Sequence, residues 1–142
     1  MTHTAFAAAG SPAPTSIAID YQPGVCNIGP AEIARRRRAG HTGLIAAIGL
    51  FAALVLIGAP DWTRLLVGVP AIISASGYLQ THLRFCAGFG SAGVFNFGEL
   101  GPTERVQSAA DRSRDRARAT QIGVASFAIG ITVALIAYAL PV

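Results

Sequence analysis

The sequence has no lysine, only two cysteines and few charged residues of any kind. Two cysteines are too few for the disulfide framework of a small secreted domain. Charged residues make up 13% of the chain, against about 25% in soluble globular domains. Hydrophobic residues make up 52% of the 142 positions and the mean hydropathy is +0.51, so we expect one domain that is not a soluble globule.

The arginines flank the uncharged stretches of the sequence. Positions 35–38 are four consecutive arginines, and the apolar residues 44–59 follow them. An arginine at the centre of a membrane helix costs about 2.5–3.5 kcal/mol, so this boundary predicts a transmembrane helix whose basic end stays cytoplasmic. The lack of lysine beside abundant alanine is typical of a GC-rich bacterial genome. We therefore expect a multi-pass protein of the bacterial inner membrane.

Three long apolar runs predict three membrane spans. The predicted helices are residues 30–59, which carry the four arginines through the headgroup layer before the first apolar run, then 62–83 and 120–140. The first helix is expected to begin at Pro30, whose missing N–H costs nothing there, with Glu32 placed against the positive helix N-terminus. Pro70 is expected to kink the second helix. The predicted fold class is an all-α integral membrane protein with three transmembrane helices and a charged juxtamembrane helix before the third span.

The chain divides into four predicted pieces. These are a flexible N-terminal arm (1–29), a helical hairpin of two transmembrane spans (30–84), a Gly/Phe-rich interfacial segment (85–101), and a charged helix continuing into the third span (102–142). The third piece is too apolar for a free loop and too glycine-rich for a stable helix, so we expect it at the membrane interface or against a partner. The charged helix is expected to begin at Pro102 and to pair Asp111 with Arg114 and Asp115 with Arg118.

The charges also predict the topology. The piece before the first span carries four arginines against two acids, and the piece between the second and third spans carries six against four. Both pieces are therefore net +2, whereas the loop between the first two spans is neutral. By the positive-inside rule the N-terminus is cytoplasmic and the C-terminus lies outside.

Two cysteines and two histidines are predicted to lie at the cytoplasmic membrane face. They are Cys26, His41, His82 and Cys86. Two Cys and two His are a complete tetrahedral ligand set for zinc, and the two cysteines could instead form a reversible thiol pair. The alternative, which we favour, is that the histidines are polar anchors at the interface and the cysteines are small buried residues. We accordingly expect no cofactor.

Small residues recur at helical spacing in two of the predicted spans. They are Gly49 and Ala53 in the first and Ser126, Gly130 and Ala134 in the third. Such spacing lets helices approach closely. We expect these faces to dock against helices of this chain or of another subunit, and a homo-oligomer is one possible outcome.

The basic residues beside the spans favour contact with anionic lipid headgroups. They are Arg35, Arg36, Arg37, Arg38, Arg112, Arg114, Arg116 and Arg118. Their alternative role is simply to fix the topology of a solvated helix. Interleaved acids and the lack of a set of stacking aromatics exclude a nucleic-acid partner.

Part of the sequence resembles a known membrane domain. The residues that carry the resemblance are Asn27-Ile28-Gly29, the arginine run, Gly40, Gly43, Gly68, Pro70, Gly77 and Cys86. Together, residues 27–90 resemble the small two-span bacterial inner-membrane domain of unknown function that is sometimes fused to rhodanese domains. The resemblance implies a helical membrane domain that self-associates or accompanies another protein, with a sulfur-related role only where a rhodanese partner exists. This chain departs from the pattern because no proline follows Cys86 and a third span is added.

The sequence contains no recognisable catalytic set, so we expect no enzymatic activity. The main hypothesis is a non-enzymatic accessory subunit of a larger bacterial inner-membrane complex, a transport or respiratory assembly, with other integral membrane subunits as partners. The rival hypothesis is a thiol-redox or metal-binding protein acting at the cytoplasmic face. A third is a self-assembled channel, for which Ser74, Ser76 and Gln80 are the only polar candidates.

Overall fold

The computed structural model describes residues 21–142, and most of the predicted arm lies outside the described residues. In order, the chain forms α1 (Pro30–Leu56), a 3-10 helix (Asp61–Val67), α2 (Gly68–His82), α3 (Ala87–Ala92), β1 (Val94–Phe95), β2 (Glu104–Arg105) and α4 (Ala109–Ala139). The two short strands pair antiparallel, with Val94 opposite Arg105 and Phe95 opposite Glu104. The fold is thus mainly helical, as predicted, with one two-stranded ribbon.

Two helices, α1 and α4, are long and apolar enough to cross a membrane. The helix α1 begins at Pro30, as predicted, with Gly29 as its N-cap and Glu32 in its first turn. Its 27 residues end at Leu56, so the helix stops three residues before the predicted end.

The predicted second span consists of two helices of different type. The 3-10 helix ends at Val67, and α2 continues from Gly68 for 15 residues. Pro70 lies in the first turn of α2, where its ring removes the N–H that would bond the carbonyl of Leu66. The change from 3-10 helix to α-helix falls at Gly68, two residues before Pro70, and the kink expected at Pro70 stays a prediction.

The charged helix begins later than predicted. We expected it to start at Pro102, but α4 starts at Ala109. Glu104 and Arg105 instead form β2, whose pairing with β1 holds this stretch extended. The N-cap of α4 is Ser108, whose hydroxyl accepts a hydrogen bond from the N–H of Asp111 at 3.3 Å.

The Gly/Phe-rich segment is folded against the chain's own α4. The prediction that it is too glycine-rich for a helix is wrong, because α3 forms within it. Cys86 caps the start of α3, and Gly93, at φ +71°, ends it in the left-handed conformation. Phe85 is completely buried and packs with Ala119 and Ile122 of α4. Packing against α4 therefore stabilises α3, although its glycines disfavour a helix.

The helix α2 is the central element and packs against both α1 and α4. Glycines make both contacts possible. A methyl group on Gly77 would lie 2.6 Å from the Cα of Gly40, and one on Gly43 would lie 2.9 Å from the carbonyl oxygen of Pro70. On the other side, a methyl group on Gly68 would lie 3.1 Å from the carbonyl oxygen of Gly130. The helices therefore approach backbone to backbone.

Small residues fill the interior, and large apolar residues cover the outside of this bundle. Ile45 is 71% exposed, and Leu56 is 85% exposed. In the most apolar windows of α1 and α4, only 17% and 28% of the residues are buried. The core helix of a soluble protein is mostly buried, so these two helices have the opposite distribution.

At one end of the bundle, Arg64 links the start of the 3-10 helix to the end of α4. Its guanidinium donates to the carbonyl oxygens of Leu140 at 2.9 Å and Val142 at 2.6 Å, and it pairs with Asp61 at 3.0 Å. Arg64 is only 4% exposed. The turn that joins α1 to α2 is thereby bonded to the C-terminus of α4, so α2 runs antiparallel to both long helices.

Candidate functional site

The opposite end of the bundle carries a compact polar cap, made of residues 21–29, α3, the strand pair and the first turns of α1 and α4. Its centre is Asn27, which is fully buried. The Asn27 amide accepts from the N–H of Cys86 at 2.7 Å and donates to the carbonyl of Cys86 at 3.1 Å. Its backbone carbonyl accepts from the N–H of Asn96, and the N–H of Gly29 donates to the carbonyl of Asn96. This residue thus links the segments before α1, after α2 and after β1.

A second buried polar group in the cap is Asp115 of α4. It is fully buried, and its carboxylate accepts from the hydroxyl of Tyr21 at 2.8 Å and from the N–H of Gly24 at 2.7 Å. Burial, then the bond to this carboxylate, raises the pKa of Tyr21 far above its usual value. The Tyr21 ring also stacks on Phe95, with ring centres 4.8 Å apart. The segment before α1 is therefore anchored to the cap by both polar and aromatic contacts.

Arg36 connects the arginine run to the interior of the cap. Its Nη2 lies 3.0 Å from the sulfur of Cys86 and 3.6 Å from the carboxylate of Glu32. The guanidinium also lies over the ring of Phe89, 5.9 Å from its centre. Glu32 is 1% exposed and pairs additionally with Arg35 at 3.5 Å. These two arginines are thus engaged within the chain.

The structure does not gather the predicted metal ligands. Nowhere in residues 21–142 do three or more His, Cys, Asp or Glu side chains form a group that could hold a metal ion. Cys26 is buried, its sulfur contacts the carbonyl of Ile28, and burial raises the pKa of its thiol. Cys86 contacts Arg36, and His41 instead bonds to Tyr78. The structure therefore does not support a zinc site formed by these four residues, because Cys26, Cys86 and His41 each contact a different neighbour.

The small-residue face of α4 is used inside the chain. The residues of this face, Ser126, Gly130 and Ala134, are all buried. A methyl group on Gly130 would meet Ile72 of α2, and one on Gly68 would lie 2.9 Å from the side chain of Ala134. This predicted helix-packing face therefore docks against α2 and is not free for another subunit.

The small-residue face of α1 is uncovered. At 3.6 residues per turn, Gly49 and Ala53 lie on one face with Ala39, Thr42 and Ala46. All five residues are exposed, and no atom of the described chain would lie within 4 Å of a methyl group on Gly49. We name these five residues the small-residue stripe. The contact of α1 with α2 instead uses Gly40, Gly43 and Ala47.

The remaining predicted lipid-contacting arginines differ in their engagement. Arg112 donates to the carbonyls of Val106 and Gln107 at 2.9 Å, and Arg118 donates to Gln121. Arg114 pairs with Asp111 at 3.7 Å, as predicted. Among the described residues, Arg37 and Arg38 form no ion pair. Arg116 is exposed.

An apolar groove of about 680 Å³ runs along the bundle between α1 and α4. Its floor is formed by Val67, the last residue of the 3-10 helix, and by Ala71, Ser74, Ala75, Tyr78, Leu79 and His82 of α2. Its walls are Leu44, Ala47, Ile48 and Phe51 of α1, Ile129, Val133, Ile136 and Ala137 of α4, and Leu140 just after α4. The lining is almost entirely apolar except at the cap end. There the hydroxyl of Tyr78 lies 2.6 Å from Nδ1 of His41, and His82 follows one turn later on α2.

The sequence did not predict the distant partners of three polar residues in this bundle. Asn27, Asp115 and Arg64 each form a hydrogen bond with a residue that lies 59 to 94 positions away. The available signal was the spacing of glycines on α1 and α2, which predicts close helix contact.

No protein-family model, curated protein or solved structure matches this chain. The resemblance of residues 27–90 to the two-span membrane domain therefore stays a prediction.

Proposed function

We propose that this chain is a three-span protein of the bacterial inner membrane. The apolar outer surface of α1 and α4 supports this placement. The third span is α2 together with the 3-10 helix: α2 supplies about 22 Å at 1.5 Å per residue, and the 3-10 helix about 14 Å at 2.0 Å per residue. Their sum exceeds the hydrocarbon thickness of about 30 Å.

The polar cap is proposed to face the cytoplasm. Ten of the 11 arginines belong to this end of the bundle, and only Arg64 lies at the other. The positive-inside rule favours that orientation. In spheroplasts, Trp62→Cys should react with a membrane-impermeant maleimide, and Arg116→Cys should react only after lysis. The opposite pattern would overturn the proposed orientation.

The biochemical role that we propose is that of a non-enzymatic accessory subunit, docked to an integral membrane partner through the small-residue stripe. The carrying observation is that the chain uses its other small-residue faces internally but leaves this one uncovered. Small residues at this spacing let the backbone of a second helix approach closely, and packing and hydrogen bonds then stabilise the pair. A second copy of the chain is the alternative partner for the same face.

The test compares two glycine-to-leucine variants of the full chain. At both Gly49 and Gly123, no atom of the described chain would lie within 4 Å of an added Cβ, so both side chains begin in open space. After mild-detergent purification from the native membrane, Gly49→Leu should lose the co-purifying subunits or the homo-oligomer, and Gly123→Leu should retain them. Equal recovery of partners with both variants would overturn the proposed docking face.

A further inference from the structure

We propose that the apolar groove binds one anionic glycerophospholipid, with its acyl chains along α2 and its phosphate at the cap end. This inference rests on the membrane placement proposed above but not on the accessory-subunit role, because the groove and the small-residue stripe lie on different faces of α1. On a helical wheel the two faces are about 160° apart.

The body of the groove fits an acyl chain. Its volume of about 680 Å³ lies within the range of about 300–1,000 Å³ typical of small-molecule sites. Small side chains, Ala71 and Ala75, line the floor. Larger branched or aromatic side chains such as Ile48, Phe51 and Ile136 form the walls. A flexible chain can fill such an irregular apolar channel in van der Waals contact with both walls.

The cap end of the groove fits a phosphate. The Tyr78 hydroxyl and the His41 ring are already joined at 2.6 Å, and the two rings pack edge to face. In the tautomer in which Nδ1 of His41 accepts from Tyr78, Nε2 carries the proton and donates outward. His82, four residues beyond Tyr78, adds a second imidazole on the same face of α2. Three side chains with hydrogen-bonding groups thus lie together at this end of the groove, whereas Ser74 is the one polar residue of the described chain in the rest of its lining.

Arg37 supplies the charge that selects an anionic lipid. It lies one turn before His41 and two turns before Leu44, which lines the groove, so helix geometry places it on the groove side of α1. Arg35 and Arg36 are paired with Glu32, whereas no acidic side chain among residues 21–142 pairs with Arg37. A guanidinium can bond a phosphate through two parallel N–H groups. The cap end of the groove is therefore positively charged and rich in hydrogen-bond donors, which makes it complementary to the negatively charged headgroup of a lipid.

The groove is a poorer site for a partner helix. Helix pairs in membranes favour small residues that let backbones approach, and the groove walls carry large side chains from both α1 and α4. The polar groups at only one end also match an amphiphile better than a helix that is apolar along its whole length.

The experiment is native mass spectrometry of the full chain, purified in mild detergent and incubated with equal amounts of phosphatidylglycerol and phosphatidylcholine. One phosphatidylglycerol per chain should be retained preferentially. Arg37→Gln should weaken its retention about fivefold, corresponding to about 1 kcal/mol for one basic residue at a lipid surface. Arg38→Gln makes the same charge change about 100° away around α1 and should retain the lipid.

Two further variants place the lipid within the groove. Ala75→Phe, from the floor, and Ile136→Trp, from the wall, should each displace the lipid, whereas Ala128→Phe on the exposed side of α4 should not. Equal losses with Arg37→Gln and Arg38→Gln would overturn the site in favour of diffuse charge attraction. Unchanged lipid retention in both groove variants would also overturn the proposed lipid site. If the groove variants lose a protein partner but keep the lipid, the groove instead binds a partner helix.

Discussion

The side-chain amide of Asn27 forms two hydrogen bonds with the backbone of Cys86, accepting from its N–H at 2.7 Å and donating to its carbonyl at 3.1 Å. The amide thereby bonds both backbone groups of the buried residue Cys86, as a residue of a neighbouring strand would. Because 59 residues separate the two, this pair closes the hairpin of α1 and α2 at the cap end. Arg64 closes the other end of the bundle against α4.

Replacing Asn27 with alanine should be strongly destabilising. The substitution leaves the buried N–H of Cys86 without its partner, whereas the carbonyl of Cys86 still accepts from the N–H of Gly90 at 2.9 Å. An unsatisfied buried polar group costs about 1–3 kcal/mol. Thermal unfolding in detergent should show a lower Tm for Asn27→Ala. The exposed Gln121→Ala is the matched control and should unfold like the wild type. A wild-type Tm for Asn27→Ala would contradict the assignment of this amide as the link.

Replacing Gly77 with alanine should separate α1 from α2. The added methyl group would lie 2.6 Å from the Cα of Gly40 and 2.7 Å from the carbonyl oxygen of Arg36, so one helix has to move. Overpacking of this kind costs about 1–3 kcal/mol. The control is Gly49→Ala, which has open space and should gain up to about 1 kcal/mol from helix propensity. Opposite signs for the two free energies of unfolding are expected, and equal values would contradict the close contact.

Replacing Arg64 with methionine should release the end of α4. The guanidinium donates to Leu140 and Val142, and a hydrogen bond to a charged group contributes about 1.5–3 kcal/mol. Hydrogen exchange followed by mass spectrometry should show faster exchange in the last turn of α4. Arg116→Met removes an exposed arginine at the other end and should leave that exchange unchanged. Identical exchange in both variants would refute the clamp.

The stability of the cap should fall at alkaline pH because of Tyr21. Its pKa is raised, first by burial and then by the bond to Asp115, so the folded protein holds the phenol proton more tightly than the unfolded chain. This contribution is complete below the unfolded pKa of about 10 and is lost as the pH rises above it. The free energy of unfolding should decline less steeply above about pH 10 in Tyr21→Phe than in the wild type. Parallel curves there would rule out this linkage, whereas parallel curves between about pH 7 and 9 are expected.

Local sequence signals predicted a helix start correctly only where the following residues do not pair with a β-strand instead. The start of α1 at Pro30 follows from the proline and Glu32, and the structure confirms it. The same kind of signal at Pro102 failed, because Glu104 and Arg105 pair with β1. Ser108 then caps α4 six residues beyond Pro102.

Charge spacing along α4 shows the same limit. The pair Asp111–Arg114 forms at 3.7 Å, as its spacing predicts. Asp115 does not pair with Arg118, because Tyr21 and Gly24 occupy its carboxylate. A helical pair at i, i+3 contributes only a few tenths of a kcal/mol, so a buried contact from elsewhere in the chain can replace it.

The sequence by itself determined the two long apolar helices, the start of α1 and the concentration of arginine at one end, because hydropathy and helix starts depend on neighbouring residues. Only the tertiary structure decided which small-residue face is covered: Gly130 lies against α2, whereas Gly49 is open. It also decided that Cys26, His41 and Cys86 contact separate partners, so that the four predicted ligands form no metal-binding group among residues 21–142. The physical reason is that these contacts join residues distant along the chain, and their formation depends on how α1 and α4 pack around α2.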